Sequence, residues 1–256
     1  MIALDLTGVR IVVVGASAGI GREVALASAA AGAGVVAVGR RQERLDALGA
    51  QQPGIVGIVA DLRDPDACPL VVDEAVRDLG GIDVVVLALG ASPLVALADA
   101  DADAWHQVVT SNTVAPALVT QAALDHLAAG GIIAFLSSES VGRPRRGLVP
   151  YSASKAALDE QIKGWRTECP DRRFIRVVVG ATTGTDFARD FDVETISAYL
   201  EDWVAGGHLA ETMMEPAEVG RSIVEVLAVA LAHPTIDLND VAIVPPGPPM
   251  RLSPRP

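Results

Sequence analysis

Short runs of Val, Ile and Leu alternate along the chain with longer Ala-rich stretches whose apolar residues recur at helical spacing. The runs Arg10–Val14, Val35–Val38, Gly57–Val59, Val84–Leu89, Ile132–Leu136, Ile175–Val179 and Val241–Val244 read as strands. Each is nearly continuous in apolar residues. Strands buried on both faces have this pattern, as in a parallel sheet covered by helices on both sides. Arg22–Ala31, Arg41–Ala50, Ala67–Leu79, Asp103–Leu127, Ser152–Glu168 and Pro216–Ala230 read as helices. Strand–helix alternation repeated this often predicts an α/β fold, a doubly wound sheet of about seven parallel strands with right-handed crossovers. No linker composition divides residues 1–256, so a single domain is expected. The segment 184–215 breaks the rhythm: it is polar, carries Gly206 and Gly207, and shows no strand before the helix at Pro216. A long loop at such a place is expected to serve as a lid or substrate loop. The Pro-rich stretch 245–256 reads as an extended tail.

Composition narrows the function. Half of the 256 residues are hydrophobic but only 4% are aromatic, so small and branched side chains must fill the core. That excludes global disorder. The net charge of −12 argues against nucleic acid or an anionic membrane surface as partner, since a polyanion needs a basic face. Cys68 and Cys169 stand one hundred residues apart, and His106, His126, His208 and His233 show no ligand spacing, so neither a disulfide scaffold nor a bound metal is expected. Asp5 comes early, and the uncharged stretch Val24–Gly39 is interrupted by Gly32 and Gly34. Neither a signal peptide nor a membrane span is read there, and a cytoplasmic protein is expected.

The first strand runs into Gly15-Ala16-Ser17-Ala18-Gly19-Ile20-Gly21, and a helix follows. Glycines let the backbone approach a pyrophosphate, and the helix N-terminus offers free N–H groups and a positive dipole end. Between the first strand and first helix of a Rossmann-type chain, this predicts a dinucleotide site. The second strand ends at Gly39, followed by Arg40 and Arg41. A site for NAD places a carboxylate here to accept bonds from the ribose hydroxyls. Guanidinium groups would instead bind a 2′-phosphate, so the cofactor is expected to be NADP(H).

Tyr151 and Lys155 are four residues apart, on one face of a predicted helix. A neighbouring ammonium should lower the phenol pKa toward the range useful for acid–base chemistry. Ser138 lies 13 residues before Tyr151 at the end of the fifth strand, and Asn112 lies in the helical stretch after the fourth. The carboxyl ends of neighbouring strands form the ligand crevice in such sheets. The Gly-x-x-x-Gly-x-Gly spacing, with Asn112, Ser138, Tyr151 and Lys155 in this order, resembles the short-chain dehydrogenase/reductase family from Gly15 to about Thr185.

That resemblance implies an oxidoreductase acting on a carbonyl/alcohol pair. It implies Tyr151 as the acid or base, Ser138 as hydrogen-bond donor to the reacting oxygen, and Lys155 as the group that tunes Tyr151 and holds the nicotinamide ribose. Asn112 would support a water linking Lys155 to solvent. Cofactor contacts are implied for Gly15, Ser17, Ala18, Gly19, Ile20, Gly21, Arg40, Arg41, Asp61, Leu62, Leu89 and Gly90, and for Thr183 or Thr185 at the carboxamide. It also implies a homo-oligomer, dimer or tetramer. The chain departs from the family where Leu87-Ala88-Leu89-Gly90 replaces Asn-Asn-Ala-Gly, and where Gly180-Ala181 stands for Pro-Gly. A non-catalytic nucleotide-binding regulatory or scaffold protein of the same fold is the alternative. Three side chains, Arg143, Arg145 and Arg146, lie between Ser138 and Tyr151. They read as a solvated loop or as a site for an acidic substrate. Phe187, Phe191, Tyr199, Trp203, Met213 and Met214 either line an apolar pocket or pack the variable loop on the domain.

Overall fold

The structure, a computed structural model, describes residues 4–188 and 191–250. Seven strands form one sheet: β1 (Arg10–Val14), β2 (Gly34–Gly39), β3 (Ile55–Val59), β4 (Ile82–Leu87), β5 (Leu127–Ser138), β6 (Arg173–Val179) and β7 (Asp240–Ile243). Their spatial order is β3-β2-β1-β4-β5-β6-β7, and every pairing is parallel. The doubly wound α/β fold is as the hydrophobic pattern predicts.

Successive strand residues point to opposite faces. Val13, Ala37, Val86, Ala134 and Val177 lie in one core layer; Val12, Val36, Val85 and Phe135 lie in the other. The first layer is closed by α1 (Gly19–Ala30), α2 (Gln42–Gln51) and α8 (Pro216–Ala232), the second by α3 (Ala67–Leu79), α5 (Ala115–Ala123) and α6 (Val149–Glu168). The nearly continuous apolar runs follow from this double covering. The edge strands are covered less well: β3 and β7 leave Val56, Val59 and Asp240 exposed.

Two elements differ from the sequence expectation. The predicted helix Asp103–Leu127 is three pieces: α4 (Ala102–Val109), one π-helical turn (Thr110–Val114) and α5. Leu127 itself already begins β5. The turn widens the helix by one residue and rotates Asn112 inward, where it is fully buried. The segment read as a long polar loop contains α7 (Val193–Ala205). Its N-terminus is capped by Asp192, whose side chain accepts from the Thr195 N–H. Tyr199 and Trp203 of α7 are buried against Leu148 in a small separate core, so these two aromatics pack the segment onto the sheet domain. No helix of the described residues is long and apolar enough to cross a membrane. The tail beyond residue 250 lies outside the described residues.

Candidate active site

The strand order reverses between β1 and β4, and the loops leaving β1, β4, β5 and β6 crowd this carboxyl edge. The turn after β1 is held by Gly15 and Ala16, whose N–H groups both donate to the Val38 carbonyl at 2.9 Å. Gly15 adopts φ +89°, and a Cβ there would stand 2.7 Å from the Ala88 oxygen, so only glycine fits. Gly21 likewise passes against the Gly15 carbonyl with no room for a side chain. Ala18 is the N-cap of α1 and carries no side-chain cap, which leaves the first-turn N–H groups of α1 facing the groove with Gly19 and Ile20. This cradle suits a pyrophosphate.

At the end of β2, a Cβ on Gly39 would stand 2.9 Å from Ser17 Cβ. The carboxylate that would mark an NAD site therefore has no room at that position. Arg41 fills the space beside it. Its Nε and Nη2 donate to Ser17 Oγ at 3.3 and 3.0 Å, and its Nη1 donates to Asp186 Oδ2 at 2.5 Å. Arg44, one turn along α2, donates to the same oxygen at 3.2 Å. Two guanidinium groups thus converge on one anionic oxygen. Arg44 went unnoticed in the sequence because nothing distinguishes it there from a solvated helix residue. Arg40 points to solvent and acts on Asp61 only through its field. The Arg63 guanidinium beside Asp61 holds that carboxyl below the usual range, and Leu62 is buried in the core.

β5 delivers Ser138 to the edge, and α6 starts beside it with Pro150 in its first turn. Tyr151 is buried, and the Ser138 hydroxyl pulls its phenol toward the ionised form. Ser138 Oγ also accepts from the Ser140 N–H at 3.1 Å and lies 3.0 Å from Ser140 Oγ. Ser140 therefore orients Ser138. Lys155, one helical turn beyond Tyr151, donates from Nζ to the carbonyls of Leu89 at 3.0 Å and Leu136 at 2.8 Å. It ties the ends of β4 and β5 together. Gly90 follows Leu89, and a Cβ there would meet nothing within 4 Å. Asn112 clasps the next residue, accepting from Ala91 N–H at 2.7 Å and donating to Ala91 O at 2.8 Å and to Ser154 Oγ at 2.9 Å. The missing family asparagines before Gly90 leave this passage held by Asn112 and Lys155.

Burial dominates the electrostatics. It brings Lys155 down to about 8, with the buried Asp159 opposing from the next turn of α6. Asp159 Oδ2 is itself held by Arg176 of β6 at 3.1 Å. The sequence predicts a lowered Tyr151 pKa; in the structure desolvation pushes the phenol up, against the downward pulls of Ser138 and Arg145. Phe187 helps to desolvate it, its ring meeting Tyr151 edge-on at 5.2 Å.

The three loop arginines separate into different roles. Arg146 faces outward, pairing with Asp202 at 2.7 Å and lying over the Tyr199 ring. Arg143 donates to the Gly207 carbonyl at 3.0 Å. Arg145 turns inward and pairs with Glu139, the residue after Ser138. Its Nε is buried without a partner among the described residues. After β6, Thr183 Oγ1 donates to the Glu215 carboxylate at 3.1 Å, whereas Thr185 lies over Gly19. Thr185 is thus the one that faces the glycine turn. Among the described residues no three His, Cys, Asp or Glu side chains gather as a metal site.

A profile of the family described as short chain dehydrogenase matches residues 10–193. A short chain dehydrogenase of Pseudocercospora fijiensis is 34% identical over 164 residues, covering 61% of this chain and 53% of that protein. Gluconate 5-dehydrogenase of Gluconobacter oxydans is 34% identical over 172 residues, covering 64% of this chain and 66% of that protein. The chain thus spans about half of the first relative's length and 66% of the second's. A short chain dehydrogenase from Burkholderia cenocepacia, solved in complex with NADP, superposes with a TM-score of 0.80 at 27% identity over 93% of this chain and 97% of that one. With this match over most of the chain, and with strand order and motifs in agreement, the protein belongs to the short-chain dehydrogenase/reductase family of oxidoreductases.

Proposed function

We propose that the protein is an NADP(H)-dependent oxidoreductase that interconverts a small-molecule carbonyl and its secondary alcohol. The observation that carries this reading is the meeting of Tyr151, Ser138 and Lys155 at the carboxyl ends of β4 and β5. When bound, the nicotinamide supplies a hydride to the carbonyl carbon, or accepts it in the reverse direction. Tyr151 Oη donates its proton to the carbonyl oxygen as negative charge develops there, and takes it back during oxidation. Ser138 Oγ, oriented by Ser140, donates to the same oxygen and stabilises that charge. Lys155 spends N–H groups on Leu89 and Leu136 and has one left for the nicotinamide ribose. Its charge favours the tyrosinate left after proton transfer. Asn112 keeps the Gly90–Ala91 passage in place.

The phosphate preference rests on three features: Gly39 has no space for a carboxylate, Arg41 is braced by Ser17, and Arg44 adds a second guanidinium. The Burkholderia neighbour with NADP agrees with it. A panel of ketones, keto-sugars and 3-oxoacyl thioesters, followed by loss of reduced nicotinamide absorbance, tests the activity. Turnover with NADPH that vanishes in Tyr151→Phe is expected; a Tyr151→Phe enzyme that keeps a tenth or more of its rate would remove Tyr151 as the acid, since general acid–base groups contribute roughly a hundredfold or more.

A further inference from the structure

Thr185, Asp186 and Phe187 form a strap across the groove. Thr185 lies over Gly19, its Cβ 3.4 Å from where a Gly19 Cβ would stand. Asp186 reaches Arg41 and Arg44 at 2.5 and 3.2 Å through a single oxygen. Phe187 lies edge-on to Tyr151 at 5.2 Å. Three consecutive residues therefore touch the phosphate turn, the guanidinium pair and the proton donor. A carboxylate and a phosphate both offer anionic oxygens that a guanidinium binds through parallel N–H···O bonds. Arg41 Nη1 cannot serve both at full strength, and a 2′-phosphate beside Asp186 would face like charge.

We propose that Asp186 is a specificity-determining residue, an internal carboxylate that competes with the cofactor 2′-phosphate for Arg41 and Arg44. The proposal rests on the NADP(H) reading above. Phosphate entry releases Asp186 and loosens the strap from Tyr151, coupling the arrival of the correct cofactor to access for the carbonyl substrate. NADH brings no phosphate and leaves Asp186 on its arginines. A ligand shifts such an equilibrium only through its differential interaction with the two states, and the 2′-phosphate is that difference. All three side chains are partly exposed, Arg41 at 32%, Arg44 at 48% and Asp186 at 34%, so the competition is moderate.

The test is direct binding, independent of turnover, of NADPH, NADH, adenosine 2′,5′-bisphosphate and adenosine 5′-monophosphate to wild type and Asp186→Asn. The substitution keeps size and shape at a partly exposed position. The expected result is that Asp186→Asn binds NADPH and the bisphosphate about three- to tenfold more tightly, with NADH and the monophosphate unchanged within about twofold. Equal tightening of all four ligands would reveal only a general field effect and overturn the proposal, as would no change or weaker NADPH binding. If wild type binds NADH as tightly as NADPH and the bisphosphate no better than the monophosphate, the cofactor reading itself fails, and the competition falls with it.

Discussion

Lys155 holds an almost wholly buried ammonium. At a pKa of about 8 against an ordinary 10.5, its proton is released more readily by the folded chain than by the unfolded one. Between these values the unfolded state binds more protons, so the contribution of this group to stability rises with pH. Below pH 8 both states are charged and the burial cost is borne in full. Lys155→Met is therefore expected to be inactive. With the Leu89 and Leu136 carbonyls left unpaired at every pH, the gap in stability between variant and wild type should favour the variant more at pH 7 than at pH 10. Urea melts should show that gap shifting toward wild type by about 2 kcal/mol as pH approaches 10. For the active enzyme, the rate of carbonyl reduction should fall as pH rises through about 8, as Lys155 loses its charge. Asp159 opposes the loss. Asp159→Asn should move that limb of the pH–rate profile to lower pH; a limb that stays in place would show that Lys155 does not set it. Ser138→Ala should cost about a hundred- to a thousandfold in turnover, with cofactor affinity nearly unchanged, as for loss of one oxyanion donor.

At the scale of elements, the π-helical turn is the least expected feature and one with a clear consequence. Three hydrogen bonds hold Asn112 in the core, two of them to the backbone of Ala91. Asn112→Ala strands those groups and should lower the unfolding free energy by about 2–4 kcal/mol, measured by denaturant melts. The glycine turn gives a second prediction. Gly21→Ala places a methyl against the Gly15 carbonyl and should weaken cofactor binding by at least about tenfold. Much of this level was legible beforehand, and for physical reasons. Strands covered on both faces must be continuously apolar, and a close backbone approach must use glycine, so both leave marks in the sequence. One extra residue in a helical turn leaves no such mark, and Asp103–Leu127 therefore reads as a single helix. Helix α7 was hidden for another reason: Thr, Glu, Asp and Ser intersperse its apolar face, and three residues, Tyr199, Trp203 and Val204, make up its buried side. At the site, Tyr151, Lys155 and Ser138 could be read from spacing, whereas Arg44 and Asp186 act through a contact between distant segments, and Ser140 through a local turn that spacing does not single out.

For the whole molecule, the net charge of −12 sets the problem of holding an anion on an acidic protein. The fold answers it locally: N–H groups of the Gly15–Gly21 turn, the N-terminus of α1, and the pair Arg41 and Arg44 gather at the carboxyl edge of one sheet. The same edge brings in Ser138 from β5 and Tyr151 and Lys155 from α6, with Lys155 linking the ends of β4 and β5. In the proposed reaction, hydride and proton would reach one carbonyl group there, the proton from Tyr151. Single turnover with NADPH carrying deuterium at both C4 positions, using a ketone found active in the panel, follows the hydride, and Tyr151→Phe reports on the proton. One deuterium is expected at the carbinol carbon of the product, formed by wild type and not by Tyr151→Phe. Product without deuterium, or equal deuterium incorporation by Tyr151→Phe, would contradict it.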